Sequence, residues 1–252
     1  MKLHLTAIAA AVILLISSCR VNEISGINGT WYAVSENAIS LTDSSIYHLT
    51  QPYRDSLEKS MGEILAYTAW GMSKELPEGR LGNYCSDACL RQVREICKDK
   101  KLPLPQICLL NHGGLRASFP SGAIRMGNVF EVMPFENELV MMKLRGIQLD
   151  SIIQFVAAKG GAPLSGLGFS PNQKTAVDIR VGGEEFSPES EYIIIASDFI
   201  ATGGDGFPVM KDLTVKTNTG LKVRDALILD LKAHLNRGDT LKVNPDGRIK
   251  ML

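Results

Sequence analysis

An α+β fold, mixed β-sheets layered with α-helices, is predicted for this chain by three observations. Short apolar runs interleave with segments of helical period, without the strict βαβ rhythm of a parallel-sheet protein. One of those runs, residues 192–196, is so rich in β-branched residues that it reads as a central strand. The composition, 45% hydrophobic and 21% charged over 252 residues, provides a sizeable core and is ordinary for a globular protein.

In chain order, the first 18 residues stand apart from the fold. Lys2 supplies a positive start, residues 5–16 are an apolar run shorter than the roughly 20 residues of a membrane span, and Ile16-Ser17-Ser18-Cys19 follows. This resembles a bacterial lipoprotein signal, with Cys19 as the lipid-bearing first residue of the mature chain. An ordinary cleaved signal or a short membrane helix is the alternative. The expected localisation is therefore the cell envelope, lipid-anchored to a bacterial membrane. Residues 19–43 read as a tether and N-terminal arm, and 44–252 as one folded domain.

Within that domain, residues 53–61 read as a short helix and 63–72 as a strand. Residues 81–98 form the clearest helix, because Leu81, Cys85, Ala88, Gln92, Val93 and Ile96 share a stripe, with Asn83 placed to cap it. Residues 104–110, 129–133 and 139–144 read as strands. Residues 147–158 read as an amphipathic helix stopped by Gly160 and Gly161. Strands are expected at 166–169, 177–181 and 192–196, a last helix at 223–235, and a terminal strand at 241–252 broken by the Pro245-Asp246-Gly247 turn.

Lys and Arg balance Asp and Glu at 27 each, and removing residues 1–18 leaves 26 minus 27, a charge of −1. Such a balance excludes a whole-surface attraction for nucleic acid. Of the five cysteines, Cys85, Cys89, Cys97 and Cys108 remain beside Cys19, and export permits disulfides. Cys85 and Cys89 are one helical turn apart and no zinc spacing exists, so buried free thiols are favoured, with a disulfide through Cys108 left open.

The functional signal is concentrated between Asn111 and Asn137. Asn111, Gly113 and Gly114 allow a sharp bend after a strand, and Arg116 follows at once, so a guanidinium is delivered to a loop. Pro134-Phe135-Glu136-Asn137 then places an aromatic beside an amide at an element end, and residues 199–207 bring Phe199 and an acid, Asp205, after two glycines. Two aromatics, an acid, two amides and an Arg describe a pocket for a flat, polar, anionic small molecule such as a nucleotide. Stacking on an aromatic face suits a base, and a carboxylate can accept from both ribose hydroxyls.

These residues resemble the C-terminal, substrate-binding domain of the 5'-nucleotidase family, from about Ser44 to the C-terminus. Four motifs fall in family order: Gly82, Asn83, Asp87 and Ala88 at a helix start; Asn111 to Arg116; Pro134-Phe135-x-Asn137; and Phe199 with Gly203-Gly204-Asp205-Gly206-Phe207. The resemblance implies a layered α+β fold in which Phe135 and Phe199 sandwich the base and Asn111 and Asn137 contact its edges. It implies further that Asp205 holds the ribose, that Arg116 meets the phosphate or lies near it, and that Asp87 is structural. Arg80 stands closer to the helix start than the family's further Arg, so that role is not carried over. His112 replaces a small residue and reads as a ligand contact or, preferably, a solvated loop His.

The resemblance also implies two-metal chemistry supplied by a separate N-terminal domain, whose ligand blocks are not matched here. Past the signal, the histidines are His48, His112 and His234, in unlike contexts, and Asn111-His112-Gly113 lacks the Gly and the acid of the family's metal block. The expectation is a nucleoside- or nucleoside-monophosphate-binding domain, with no catalytic, metal or cofactor group of its own. It would orient substrate for a metallophosphatase on a separate chain. A self-sufficient nucleotidase, or a nucleoside-scavenging lipoprotein without an enzyme partner, stays open.

Overall fold

The computed structural model describes residues 44–250 apart from 208, 209, 211, 212, 214 and 215. The expected signal, Cys19 and the 19–43 arm lie outside the described residues, as do the last two positions of the expected terminal strand. The chain divides into two compact units, residues 1–50 and 51–252. Of the first, residues 44–50 are described, as the opening of helix α1 (Ser44–Met61).

The second unit continues with β1 (Ile64–Thr68), helix α2 (Arg80–Asp99), β2 (Ile107–Leu109), β3 (Gly122–Arg125), helix α3 (Met126–Val132), β4 (Glu138–Arg145) and helix α4 (Gly146–Ala158). Then come β5 (Leu164–Ser165), β6 (Leu167–Asn172), β7 (Thr175–Val181), β8 (Glu184–Glu185), β9 (Glu191–Ser197) and a single turn, α5 (Asp198–Ala201). Strand β10 (Lys216–Lys222), helix α6 (Val223–Arg237) and β11 (Thr240–Leu241) close the order. Among the described residues three sheets result, ordered β11-β1-β3, β10-β4-β9-β2-β5 and β6-β7-β8, with parallel and antiparallel pairs mixed.

The five-stranded sheet separates two cores. Along β9, Ile195 faces one core and Ile194 and Ala196 the other; along β2, Cys108 faces the first and Ile107 and Leu109 the second. That alternation is the period-2 pleat with both faces covered, which is why β9 is nearly all apolar. Helices α2 and α6 contribute Leu81, Cys85, Ala88, Ala226, Leu227 and Leu231 to the first core. Helix α4 contributes Leu149, Ile152, Ile153 and Val156 to the second, with Leu167, Phe169 and Val181 of the β6–β7 hairpin. Each such large apolar side chain is worth about 1.5–3 kcal/mol of burial.

Several readings of the sequence are corrected: the helix expected at 53–61 begins at Ser44, the strand expected at 104–110 keeps only 107–109, and β3 and β10 were not among the expected strands. Residues 126–132 form α3 and not the expected strand at 129–133: Val129 and Val132 are buried one turn apart, and the Asn128 side chain accepts from the Arg125 backbone N–H at 2.9 Å. A short apolar run carries no periodicity long enough to separate the two. Asn83 does not cap α2, whose N-cap is Gly79; its amide donates to Glu78 Oε1 at 2.6 Å. The terminal strand is reduced to the two residues of β11 and one bridge from Ile249 to Phe169. Glu78 instead accepts the backbone N–H groups of Asp246 and Gly247, and Arg248 forms a two-pronged pair with Asp87 at 2.8 and 3.0 Å. Asp87 is thus structural, as the resemblance implied. The four described cysteines are buried free thiols.

Candidate functional site

The topology brings three loops to one end of the central sheet. Strand β9 runs parallel to β2 on one side and antiparallel to β4 on the other, with Ala196 opposite Leu109 and Ser197 opposite Leu139. The C-terminal ends of β9 and β2 and the N-terminal end of β4 therefore coincide. Asn111 lies just past β2, Asn137 just before β4, and Phe199 just past β9.

Those three loops line a cavity of about 320 Å³ with Asn111, Gly113, Gly114, Arg116, Phe135, Asn137, Phe199 and Asp205. This lies near the lower end of the roughly 300–1,000 Å³ typical of small-molecule sites. All six residues singled out from the sequence meet there. Phe135 and Phe199 are each 43% exposed, two large apolar faces left open to solvent on the same cavity.

Each side chain is held by identifiable chemistry. The turn His112–Gly114 begins three residues past the end of β2, and a Cβ on Gly114 would meet Asn111 Oδ1 at 2.8 Å, so the glycine leaves room for the amide to fold over the loop. Arg116 donates to the Gly113 carbonyl at 3.3 Å. Gly204 plays the same part for Phe199: a Cβ there would lie 2.6 Å from two carbons of its ring. Asp205 adopts the left-handed conformation (φ 56°) between Gly203 and Gly206, both at positive φ, and its carbonyl accepts from Lys159 at 2.7 Å.

The loop carrying Phe135 is pinned by its neighbour. Glu136 pairs with both Lys222 and Arg224 at the start of α6, and the hydrogen bonds from those two cations pull its carboxyl down to about 2. Arg224 in turn lies over the Phe130 ring at 4.2 Å. Asp198, which the sequence reading missed, links that loop to the one carrying Phe199: its Oδ1 accepts from the Asn137 amide and from the Phe199 backbone N–H, both at 2.7 Å. The available signal was its place directly before an aromatic at the end of the most apolar strand.

His112 is half-buried, not a solvated loop residue, and does not line the cavity; its Nδ1 is buried without a partner among the described residues. Burial, then nearby Lys74, depress its basicity, against a smaller opposing effect of Asp205. Arg80 stacks over Trp70 at 5.5 Å, away from the site.

A larger cavity of about 680 Å³ is lined by Tyr84, Asp87, Arg91, His234, Asp239 and Lys242 among others. Two of its side chains are committed inward: Arg91 makes two hydrogen bonds to buried Asp230, at 3.0 and 2.9 Å, and Tyr84 donates to the same carboxylate at 3.1 Å. It is a structural crevice between α2 and α6, and the smaller cavity is the one on which aromatic, amide and charged groups converge.

Residues 61–212 match the family model described as 5'-nucleotidase, C-terminal domain. Over 219 residues the chain is 25% identical to the trifunctional nucleotide phosphoesterase protein YfkN of Bacillus subtilis, covering 79% of this chain and 14% of that protein. It is 30% identical over 149 residues to protein UshA of Escherichia coli, covering 56% of this chain and 26% of that one. The crystal structure of a 5'-nucleotidase precursor from Thermus thermophilus superposes with a TM-score of 0.68 at 27% identity, over 83% of this chain and 43% of that one. The chain thus spans less than half the length of each of these relatives.

Proposed function

We propose, for a chain that belongs to the 5'-nucleotidase family through its C-terminal domain, that it binds a nucleoside or nucleoside monophosphate and presents the phosphate for hydrolysis by a metallophosphatase on a separate polypeptide. The observation that carries this reading is the convergence of two half-exposed aromatics, two amides, an acid and a guanidinium on one cavity. The base lies between Phe135 and Phe199, with Asn111 and Asn137 at its edges. Asp205 accepts from the ribose hydroxyls, and Arg116 reaches the phosphate by a charge-assisted hydrogen bond.

The ions that phosphoester hydrolysis of this kind uses do not fit the described residues. Among the described residues no group of three or more His, Cys, Asp or Glu side chains is placed to hold a metal ion. His112 sits in the β2 turn and His234 on α6, the latter beside an Asp230 already engaged by Arg91 and Tyr84. The ions would therefore be held by the partner chain, in nucleotide catabolism or salvage.

The test is co-purification from the native membrane and a phosphate-release assay with adenosine monophosphate on the separated and recombined fractions. Release from the recombined fractions alone is expected. Robust metal-dependent release by this chain in isolation would overturn the two-chain reading in favour of a self-sufficient nucleotidase.

We propose further that Cys19 carries a lipid that holds the protein at the cell envelope. The support is the short apolar run ending in Ile16-Ser17-Ser18-Cys19. Cys19→Ala is expected to move the protein from the detergent phase to the soluble or unprocessed pool. Unchanged fractionation with no lipid mass on Cys19 would remove the anchor.

A further inference from the structure

Resting on the nucleoside reading above, we infer that Asp198 sets the base selectivity of the site, by turning Asn137 into an acceptor that selects bases bearing an exocyclic amine. Asp198 does not line the cavity, whereas Asn137 does. An ionised carboxylate accepts hydrogen bonds and cannot donate them. The group that Asn137 turns to Asp198 Oδ1, 2.7 Å away, must then be its NH2. The carbonyl oxygen of the same amide is left on the other branch, and among the described residues Asn137 Oδ1 takes no hydrogen bond.

An isolated Asn is indifferent to the polarity of its ligand, because rotating the amide exchanges donor and acceptor. Here that rotation would bring Asn137 Oδ1 against a carboxylate oxygen and forfeit a charge-assisted bond. Asp198 is itself fixed from the backbone: the Phe199 N–H donates to the same Oδ1 at 2.7 Å, and the start of α5 is capped by Ser197 accepting from the Ile200 N–H. One carboxylate thereby holds the Asn137 loop and the Phe199 loop together and dictates which end of the amide a base can meet. Adenine and cytosine carry an exocyclic amine that donates to such an oxygen. Hypoxanthine and uracil present a carbonyl at the same place, which meets it oxygen to oxygen.

Calorimetry with adenosine, inosine and purine riboside, which is adenosine without its amine, tests this. The parent is expected to bind adenosine about 3- to 10-fold more tightly than either of the others, the scale of one hydrogen bond at a half-open site. In Asp198→Ala the amide is free to turn, and the three affinities should converge to within about twofold of one another, since the selectivity is worth no more than that one bond. Asp198→Asn keeps an Oδ1 able to accept both bonds and should retain most of the discrimination. A merely loosened clamp would lower all three affinities together and leave their ratios unchanged, so the ratio reports on Asn137 and not on folding. Equal binding of the three by the parent, tighter binding of inosine, or a ratio that survives Asp198→Ala would overturn the inference while leaving the nucleoside site standing. A parent that binds none of the three would overturn the nucleoside reading and this inference with it.

Discussion

Replacing Phe135 or Phe199 by Ala is expected to weaken adenosine binding about 5- to 150-fold, the equivalent of about 1–3 kcal/mol for one base–aromatic stack. Both rings are 43% exposed, so neither variant removes much buried apolar surface and the melting temperature should stay close to the parent's. Phe→Trp at either position keeps a stacking face and should be tolerated better. Titration calorimetry of the variants beside their thermal unfolding separates lost stacking from lost structure. If both Ala variants bind adenosine like the parent, the two rings are surface-packing residues and no clamp exists.

Asp230→Ala should produce the largest loss of stability outside the apolar core. The carboxylate is buried at 3% exposure and ties α2 to α6 through Tyr84, Arg91 and, at 3.4 Å, Gln92. Deleting it strands the hydroxyl of Tyr84, itself 2% exposed, while Arg91, with a side chain 48% exposed, can be resolvated in part. The expected cost is about 2–4 kcal/mol, roughly 5–15 °C in melting temperature for a domain of this size. Burial alone would raise the carboxyl, but the hydrogen bonds and charge of Arg91 outweigh it and hold Asp230 below the ordinary carboxylate range. A depressed carboxylate contributes stability that is present above its unfolded value, near about 4, and lost as pH falls through the lower folded value. The gap between parent and variant should thus persist from neutral pH to about 5, widened where His234 beside the carboxylate becomes protonated, and close under stronger acid. Thermal unfolding followed from neutral pH down to about 2.5 checks both the size and the direction.

The site was readable in the sequence because its parts are local. Asn111 to Arg116, Pro134 to Asn137 and Phe199 to Phe207 each combine a turn-forming residue with an exposed chemical group, and each survives as a loop or single helical turn in the fold. The long elements were readable for a similar reason: α2, α4 and α6 hold their helical period over three turns or more, and β9 concentrates Ile193, Ile194 and Ile195. What was not readable depends on partners remote in the chain. Residues 129–132 are helical because Val129 and Val132 enter the core together and Phe130 lies beneath Arg224 of α6. Asn83 turns away from the helix end because Glu78 is also recruited by the 246–247 turn. Asp198 had only its place before Phe199 as a local signal, because its significance lies in Asn137, 61 residues earlier.

The family places the chain among 5'-nucleotidase C-terminal domains, and the central claim is that its loop cavity holds a nucleoside phosphate by the base as well as by the phosphate. The most direct measurement is calorimetry of the parent and of Arg116→Ala with adenosine, adenosine monophosphate and ribose 5-phosphate. Stacking should carry most of the affinity, so adenosine and adenosine monophosphate are expected to bind the parent, with ribose 5-phosphate weaker by at least about tenfold. Arg116→Ala should lower the affinity for adenosine monophosphate and leave that for adenosine unchanged. Ribose 5-phosphate binding as tightly as adenosine monophosphate, with adenosine not binding at all, would contradict the account and leave a simple anion pocket in its place.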